Sequence, residues 1–205
     1  IKEQRANAAM LTIPNLAVKT VYWEYMYHTY EVEKSARYDY LKNAMDLMRR
    51  EGKLDEIMNL YEKVIKRLSN RDLRHFNEIS CKSIFITMVY TDGVYLIASE
   101  REAEGGYADL YVKENVIFKE NVKYRYMMEF KYIPIKDLQG DVNKADSEKI
   151  INDNSQLITE VKKEAETQLQ QYIKEHNLIN DSEKILKKVV VLVVGRKFVR
   201  YYMIS

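Results

Sequence analysis

The stretch KYRYMMEFKYI, Lys123 to Ile133, decides how this chain is read. Its density of Tyr, Met, Phe and Ile favours a core β-strand. Yet Glu129 and Lys131 stand two residues apart in its middle. Side chains on a strand alternate between faces, so both charges belong to one face and Met128, Phe130 and Tyr132 to the other. An acid and a base placed together on one side of an apolar strand read either as a lateral ion pair on a solvated face or as a working site.

The rest of the chain bounds that choice. Its 205 residues suffice for one generous domain or two small ones. With only six Gly and two Pro, continuous helices and strands are expected rather than long structureless linkers. A formal charge of +2 excludes the strongly basic character of many nucleic-acid binders, although a local patch is compatible with it. Cys81 is the only cysteine, which excludes disulfides within the chain and argues against a Cys-based zinc site. A cytoplasmic location is expected on that ground. No stretch approaches the ~18 apolar residues of a membrane span, and no signal-peptide pattern opens the chain. The start at Ile1 rather than Met reads as a piece of a longer protein.

Read from the beginning, the chain is helix after helix. IPNLAVKTVYWEYMYHTYEVE opens with Pro14, well suited to a first helical turn. SARYDYLKNAMDLMRREG has Ser35 as N-cap, a buried stripe of Leu41, Met45 and Met48, and Gly52 as its stop. KLDEIMNLYEKVIKRL repeats the pattern with Leu54, Ile57, Met58, Tyr61, Ile65 and Leu68. A break at SNRD, 69–72, divides the chain into a helical part, 1–70, and a second part, 71–205. DLRHFNEISCKSIFITMVYT reads as a further helix closed by Asp92–Gly93. β-prone runs follow in VYLIASE, YADLYV and VIFKENVKYRYMMEFKYI, with the two KENV segments as a polar hairpin tip. After a polar connection, KDLQGDVNKADSEKIINDNS, come the helix ITEVKKEAETQLQQYIKEH and a strand pair KKVVVLVVGRKFVRYYMI turning at Gly195–Arg196. This order predicts an α/β (α+β) fold with a mixed sheet flanked by helices.

A second acid matters here. Asp109, in EGGYADLYV, stands at a strand start, where Asp is poorly suited. If the hairpin 109–131 closes as read, Asp109 lies beside Glu129, with Lys131 one pleat further. Two carboxylates brought together repel each other and call for a cation. Mg²⁺ takes hard oxygen ligands and can activate water and stabilise a phosphate under attack. Lys131 would then orient that water or neutralise developing charge. Gly105 and Gly106 would let a nucleic-acid backbone approach closely. Taken alone, the same residues also read as a lateral ion pair and a turn aspartate.

GYADLYV…YMMEFKY resembles the D-x(n)-E-x-K signature of the PD-(D/E)XK nuclease superfamily. LSNRDLRHFNEISCKSIFITMVY, followed by ASEREAEGGYADLYV, resembles the nuclease-like domain found C-terminal to an AAA-ATPase-like domain in many bacterial proteins, notably from Bacteroides relatives. LTIPNLAVKTVYWEYM is similar to the end of that ATPase-like domain, and EAETQLQQYIKEH with KKVVVLVVGRKFVRYY to the closing helix and strand of the nuclease-like part. The resemblance implies that 1–70 is the helical tail of an ATPase-like domain and 71–205 a restriction-endonuclease-like domain. It places the motif acid at Asp109, the second acid at Glu129, the lysine at Lys131, a first-helix acid completing the metal site at Glu78, and a last-helix glutamine at Gln171. Ala108 stands where the superfamily's name has proline. The implied cofactor is Mg²⁺ or Mn²⁺ and the implied partner is nucleic acid, with DNA expected. No G-x-x-x-x-G-K-[ST] occurs, so no P-loop ATP site is expected in this chain.

Other residues were weighed against this site. His28, His75 and His176 are scattered over separate helices and read as surface or core residues. Cys81, among Ile79, Ile84 and Phe85, reads as buried rather than nucleophilic. The Tyr-rich VYWEYMYHTY reads as packing, or as a docking face toward the ATPase-like part, rather than a stacking platform for bases. Arg196, Lys197 and Arg200, with Lys187 and Lys188, would contact phosphates or serve as edge-strand charges. Glu100, Glu102 and Glu104 read as a solvated loop. The expected activity is hydrolysis of nucleic-acid phosphodiesters by metal-activated water. The rival expectation is a catalytically silent module of the same fold that docks on the ATPase-like part or on DNA. Double-strand breaks would favour a homodimer or repeated nicking.

Overall fold

A computed structural model describes residues 35–68, 76–90, 93–103, 106–142, 144–175 and 183–204, with the backbone alone at 35–38, 99–103, 106–109 and 175. The helix expected after Pro14, the Tyr-rich segment and the three histidines lie outside these residues. Leu41–Ser205 form one compact unit. The elements are α1 (Ser35–Glu51), α2 (Asp55–Lys66), α3 (Glu78–Val89), β1 (Tyr95–Ala103), β2 (Gly106–Glu114), β3 (Tyr124–Ile133), α4 (Ser147–Asp153), α5 (Ser155–Glu175), β4 (Ile185–Val194) and β5 (Phe198–Ile204). The five strands form one mixed sheet in the order β1-β2-β3-β4-β5. All neighbours are antiparallel except β3 and β4, which are parallel and joined through α4 and α5. The α+β architecture expected from the sequence is the one observed.

Alternation along β3 divides its side chains between two cores. Tyr126, Met128 and Phe130 join Met48, Ile57, Tyr61, Ile65, Phe85 and Val89 from α1–α3. Met127 and Ile133 join Ile150, Ala165, Leu169, Tyr172 and Ile173 from α4 and α5. Both faces of β3 are therefore covered, and Arg125, Glu129 and Lys131 are buried as well. Of the two readings of the charged face, a lateral ion pair on a solvated face is not what is observed, since the face lies within the protein. The run VVVLVV at the end of β4 is buried throughout, as expected of a parallel strand packed on both sides.

Rings and hydroxyls tie the first layer together. Tyr61, Phe85 and Phe130 meet at centroid distances of 5.4–6.3 Å, joining α2, α3 and β3. Offset and edge-on contacts of this kind add to simple burial. Tyr61 donates its hydroxyl to the Cys81 carbonyl at 2.9 Å, and Tyr126 donates to the Met48 carbonyl at 2.5 Å. At the β5 edge, Tyr201 donates to Asp55 Oδ1 at 2.6 Å, and the Val199 N–H donates to Glu62 Oε2 at 3.1 Å. The expected break at 69–72 falls where 69–75 are outside the described residues. The helices before it and α3 after it contribute to one core.

Four local expectations are corrected. Val116–Asn121 forms a 3₁₀ segment rather than a strand. The Asn115 side chain accepts from the Ile117 N–H and donates to the Gly93 carbonyl, offering the backbone an alternative to the ladder. The helix read from residue 72 begins at Glu78, because Asn77 caps it by accepting from the Ser80 N–H at 3.0 Å. Within the polar connection lies α4, capped by Asp146. Finally, Glu100 and Glu102 belong to β1 rather than to a loop.

Gly195 turns the chain from β4 to β5 with φ +47°, and a Cβ there would lie 2.3 Å from Ile135 Cγ1. Both strain and overlap oppose a side chain. Gly195→Ala should destabilise the protein by roughly 1–3 kcal/mol, read from the urea midpoint. Burial holds the phenols of Tyr61 and Tyr126 well above the ordinary tyrosine range. Burial, then the Asp55 hydrogen bond, pushes Tyr201 from 10.0 to about 12. An acid whose folded pKa is raised keeps its proton better when folded, so this stability is complete below pH 10.0 and lost as pH climbs through about 12. Urea unfolding at increasing alkalinity should show stability falling over that window. Tyr201→Phe should flatten the fall, and tyrosinate absorbance should show Tyr61 and Tyr126 ionising only on unfolding.

Candidate active site

Parallel pairing sets the carboxyl ends of β3 and β4 at one edge of the sheet, with Lys131 opposite Leu192 and Ile133 opposite Val194. In open α/β sheets this is the edge at which ligands bind. The amino end of α3 reaches the same edge. Glu78 is its first residue, where the helix dipole favours an acid. From the opposite layer α5 contributes Glu164.

Lys131 is the centre of the cluster. Its Nζ lies 3.5 Å from Glu129 Oε1, 3.7 Å from Glu78 Oε1 and 3.7 Å from Glu164 Oε1. Glu129 and Lys131 are nearly buried, and the two outer acids are progressively more exposed. Burial of either charge alone would be expensive, so the pair is expected to be retained together. Three carboxylates around one ammonium leave a local excess of negative charge. Carboxylate oxygens are the hard donors that a divalent cation takes, but here they converge on the Lys131 ammonium. Among the described residues no group of three His, Cys, Asp or Glu is disposed to hold a metal ion.

Next to the cluster, Tyr132 stacks edge-on against Phe76 at 5.2 Å, and burial raises its phenol pKa, with contributions from Cys81 and Asp137. After Ile133 the chain is held by Asn154, which is buried. Its Oδ1 accepts from the Gln139 N–H at 2.7 Å and its Nδ2 donates to the Gln139 and Ile150 carbonyls. This anchors the connection that leaves the site to the start of α5.

The structure brings Glu78 and Glu129 to Lys131. Gln171 is exposed on α5, seven residues beyond Glu164. The Asp109 backbone lies in β2, and its side chain is outside the described residues, as is all of Gly105; Gly106 opens β2. Arg196 and Lys197 lie in the β4–β5 turn, where Arg196 donates to the Leu68 carbonyl at 3.4 Å. Lys187 and Lys188 lie toward the other end of β4, so the five cations do not form one patch. Cys81 is buried, as expected. The sequence reading missed Glu164. Nothing in its spacing separates it from Glu160 and Glu166 on the same helix, and only packing of α5 over β3 selects it.

Removing the central cation should matter more than removing an exposed partner. Lys131→Met should destabilise the protein by roughly 3–5 kcal/mol, since buried Glu129 loses the ammonium paired with it. Glu164→Gln should change stability by less than about 1 kcal/mol, as expected of an exposed pair. Urea denaturation of the two variants compares them directly.

No curated protein and no solved structure matches the chain. The sequence model of the PD-(D/E)XK nuclease superfamily matches residues 76–202, from the residue before the α3 cap into β5. That span covers well over half of the chain and includes β1 to β4, most of β5 and every acid around Lys131. The chain belongs to the PD-(D/E)XK nuclease superfamily.

Proposed function

We propose that this domain hydrolyses nucleic-acid phosphodiester bonds at the Lys131 edge of the sheet, using Asp109, Glu129, Lys131 and Glu78. The observation that carries the reading is the convergence of Glu78 and Glu129 on Lys131, from a helix end and a strand, at the carboxyl edge of β3 and β4. The β2–β3 register supports the remaining member. Leu110 opposes Met128 and Tyr111 opposes Met127, and one further step of that count would set position 109 against position 129. Strand alternation then assigns both positions to one face.

Asp109 and Glu129, with Glu78, would hold Mg²⁺ or Mn²⁺. When bound, such an ion would supply Lewis-acid stabilisation of a phosphate and activation of a water. Lys131 contributes a positive charge positioned beside the reacting phosphate, held by carboxylates that already fix its direction. Gln171 would orient Lys131 from α5. Gly105 and Gly106 would allow close backbone approach, and Arg196 and Lys197 would contact flanking phosphates. DNA is the proposed substrate. The helical segment before residue 70 is proposed as the tail of an ATPase-like domain, and a dimer would suit cleavage of both strands of a duplex.

One observation favours a second reading. Glu129 is nearly buried and already paired with Lys131, an arrangement that would serve equally as a structural clasp in a silent docking module. Supercoiled plasmid, linear duplex, single-stranded DNA and RNA, each with Mg²⁺, Mn²⁺ or EDTA, distinguish the two. Metal-dependent cleavage should fall by at least about a hundredfold in Asp109→Ala and in Lys131→Met. Cleavage unchanged in both variants would sink the site assignment, and no cleavage of any substrate would favour the docking module.

A further inference from the structure

A lysine ammonium has three N–H donors. Around Lys131 three carboxylates lie at ion-pair distance, 3.5 Å for Glu129 and 3.7 Å each for Glu78 and Glu164. A phosphate arriving at Lys131 therefore competes with these carboxylates for its positive charge. Burial decides which acid yields. The side chain of Glu129 is 5% exposed, that of Glu78 45% and that of Glu164 64%. Glu129 also shares a strand with Lys131 and has little room to leave. Glu164 returns to water most easily, and an exposed ion pair is weakly held.

We infer that Glu164 is a displaceable counter-ion of Lys131, occupying the place of a nucleic-acid phosphate and giving way when one binds. This inference rests on the nuclease reading of Lys131 and adds to it a positioning residue that tunes phosphate affinity. Before substrate arrives, Glu164 holds the lysine from the α5 side. It also places a negative charge where anions approach, so weak or misplaced anions compete poorly for the site. The effect is electrostatic and falls as salt rises.

The test measures binding rather than turnover. A fluorescein-labelled DNA duplex is titrated in EDTA by fluorescence anisotropy against the wild type, Glu164→Gln and Glu160→Gln. Glu160 is an exposed acid one helical turn earlier, engaged with Gln156 Nε2 at 2.9 Å, and it controls for loss of a charge in general. Glu164→Gln should bind about two- to fivefold more tightly, the range expected from an exposed ion pair, with the gain shrinking at high salt. The gain should vanish in a Lys131→Met background, and Glu160→Gln should not reproduce it. Equal or weaker binding by Glu164→Gln, an equal gain in Glu160→Gln, or a gain that survives Lys131→Met would each overturn the inference. Metal-dependent cleavage by the wild type and Asp109→Ala, assayed in parallel, reports on the nuclease reading separately.

Discussion

A strand buried on both faces cannot carry a charge without company, and β3 carries two at the end where its helices converge. This constraint organises the domain. Glu129 answers Lys131 from the same strand, Glu78 from the amino end of α3 and Glu164 from α5. Residues from both helical layers are thereby drawn to one edge of the sheet. At Glu129 and Lys131 the cluster is dehydrated, which strengthens their interaction and raises the penalty for removing either.

The cluster stays in register because its surroundings are stiff. On one side, Tyr61, Phe85 and Phe130 lock α2 and α3 against β3 through ring contacts. On the other, Asn154 fixes the chain between β3 and α5. Each buried hydroxyl in the first layer ends on a backbone carbonyl, so polar groups are satisfied without loosening the packing. On the proposed nuclease reading, a phosphodiester at this edge would meet a preoriented cation flanked by acids.

Local patterns made much of this legible beforehand. The apolar stripes of α1 and α2, the Gly52 stop, the Gly195 turn and the continuous apolar run of β4 each follow from short-range chemistry. Where reading failed, competing local interactions were the reason. Val116–Asn121 has strand-forming residues, but Asn115 satisfies the backbone through its side chain and a 3₁₀ segment results. The α4 helix was hidden in a polar stretch, although Asp146 marked its start.

The candidate site shows the same division. By itself the sequence determined that Glu129 and Lys131 share a face, because strand alternation has a period of two and needs no partner. It also carried the motif that marks the superfamily. Only the tertiary structure decided that this face is buried rather than solvated, that β3 and β4 run parallel, and that Glu164 rather than Glu160 or Glu166 meets the lysine. Those outcomes depend on where α5 settles over the sheet, a packing contact between residues far apart in the chain. No local spacing encodes it.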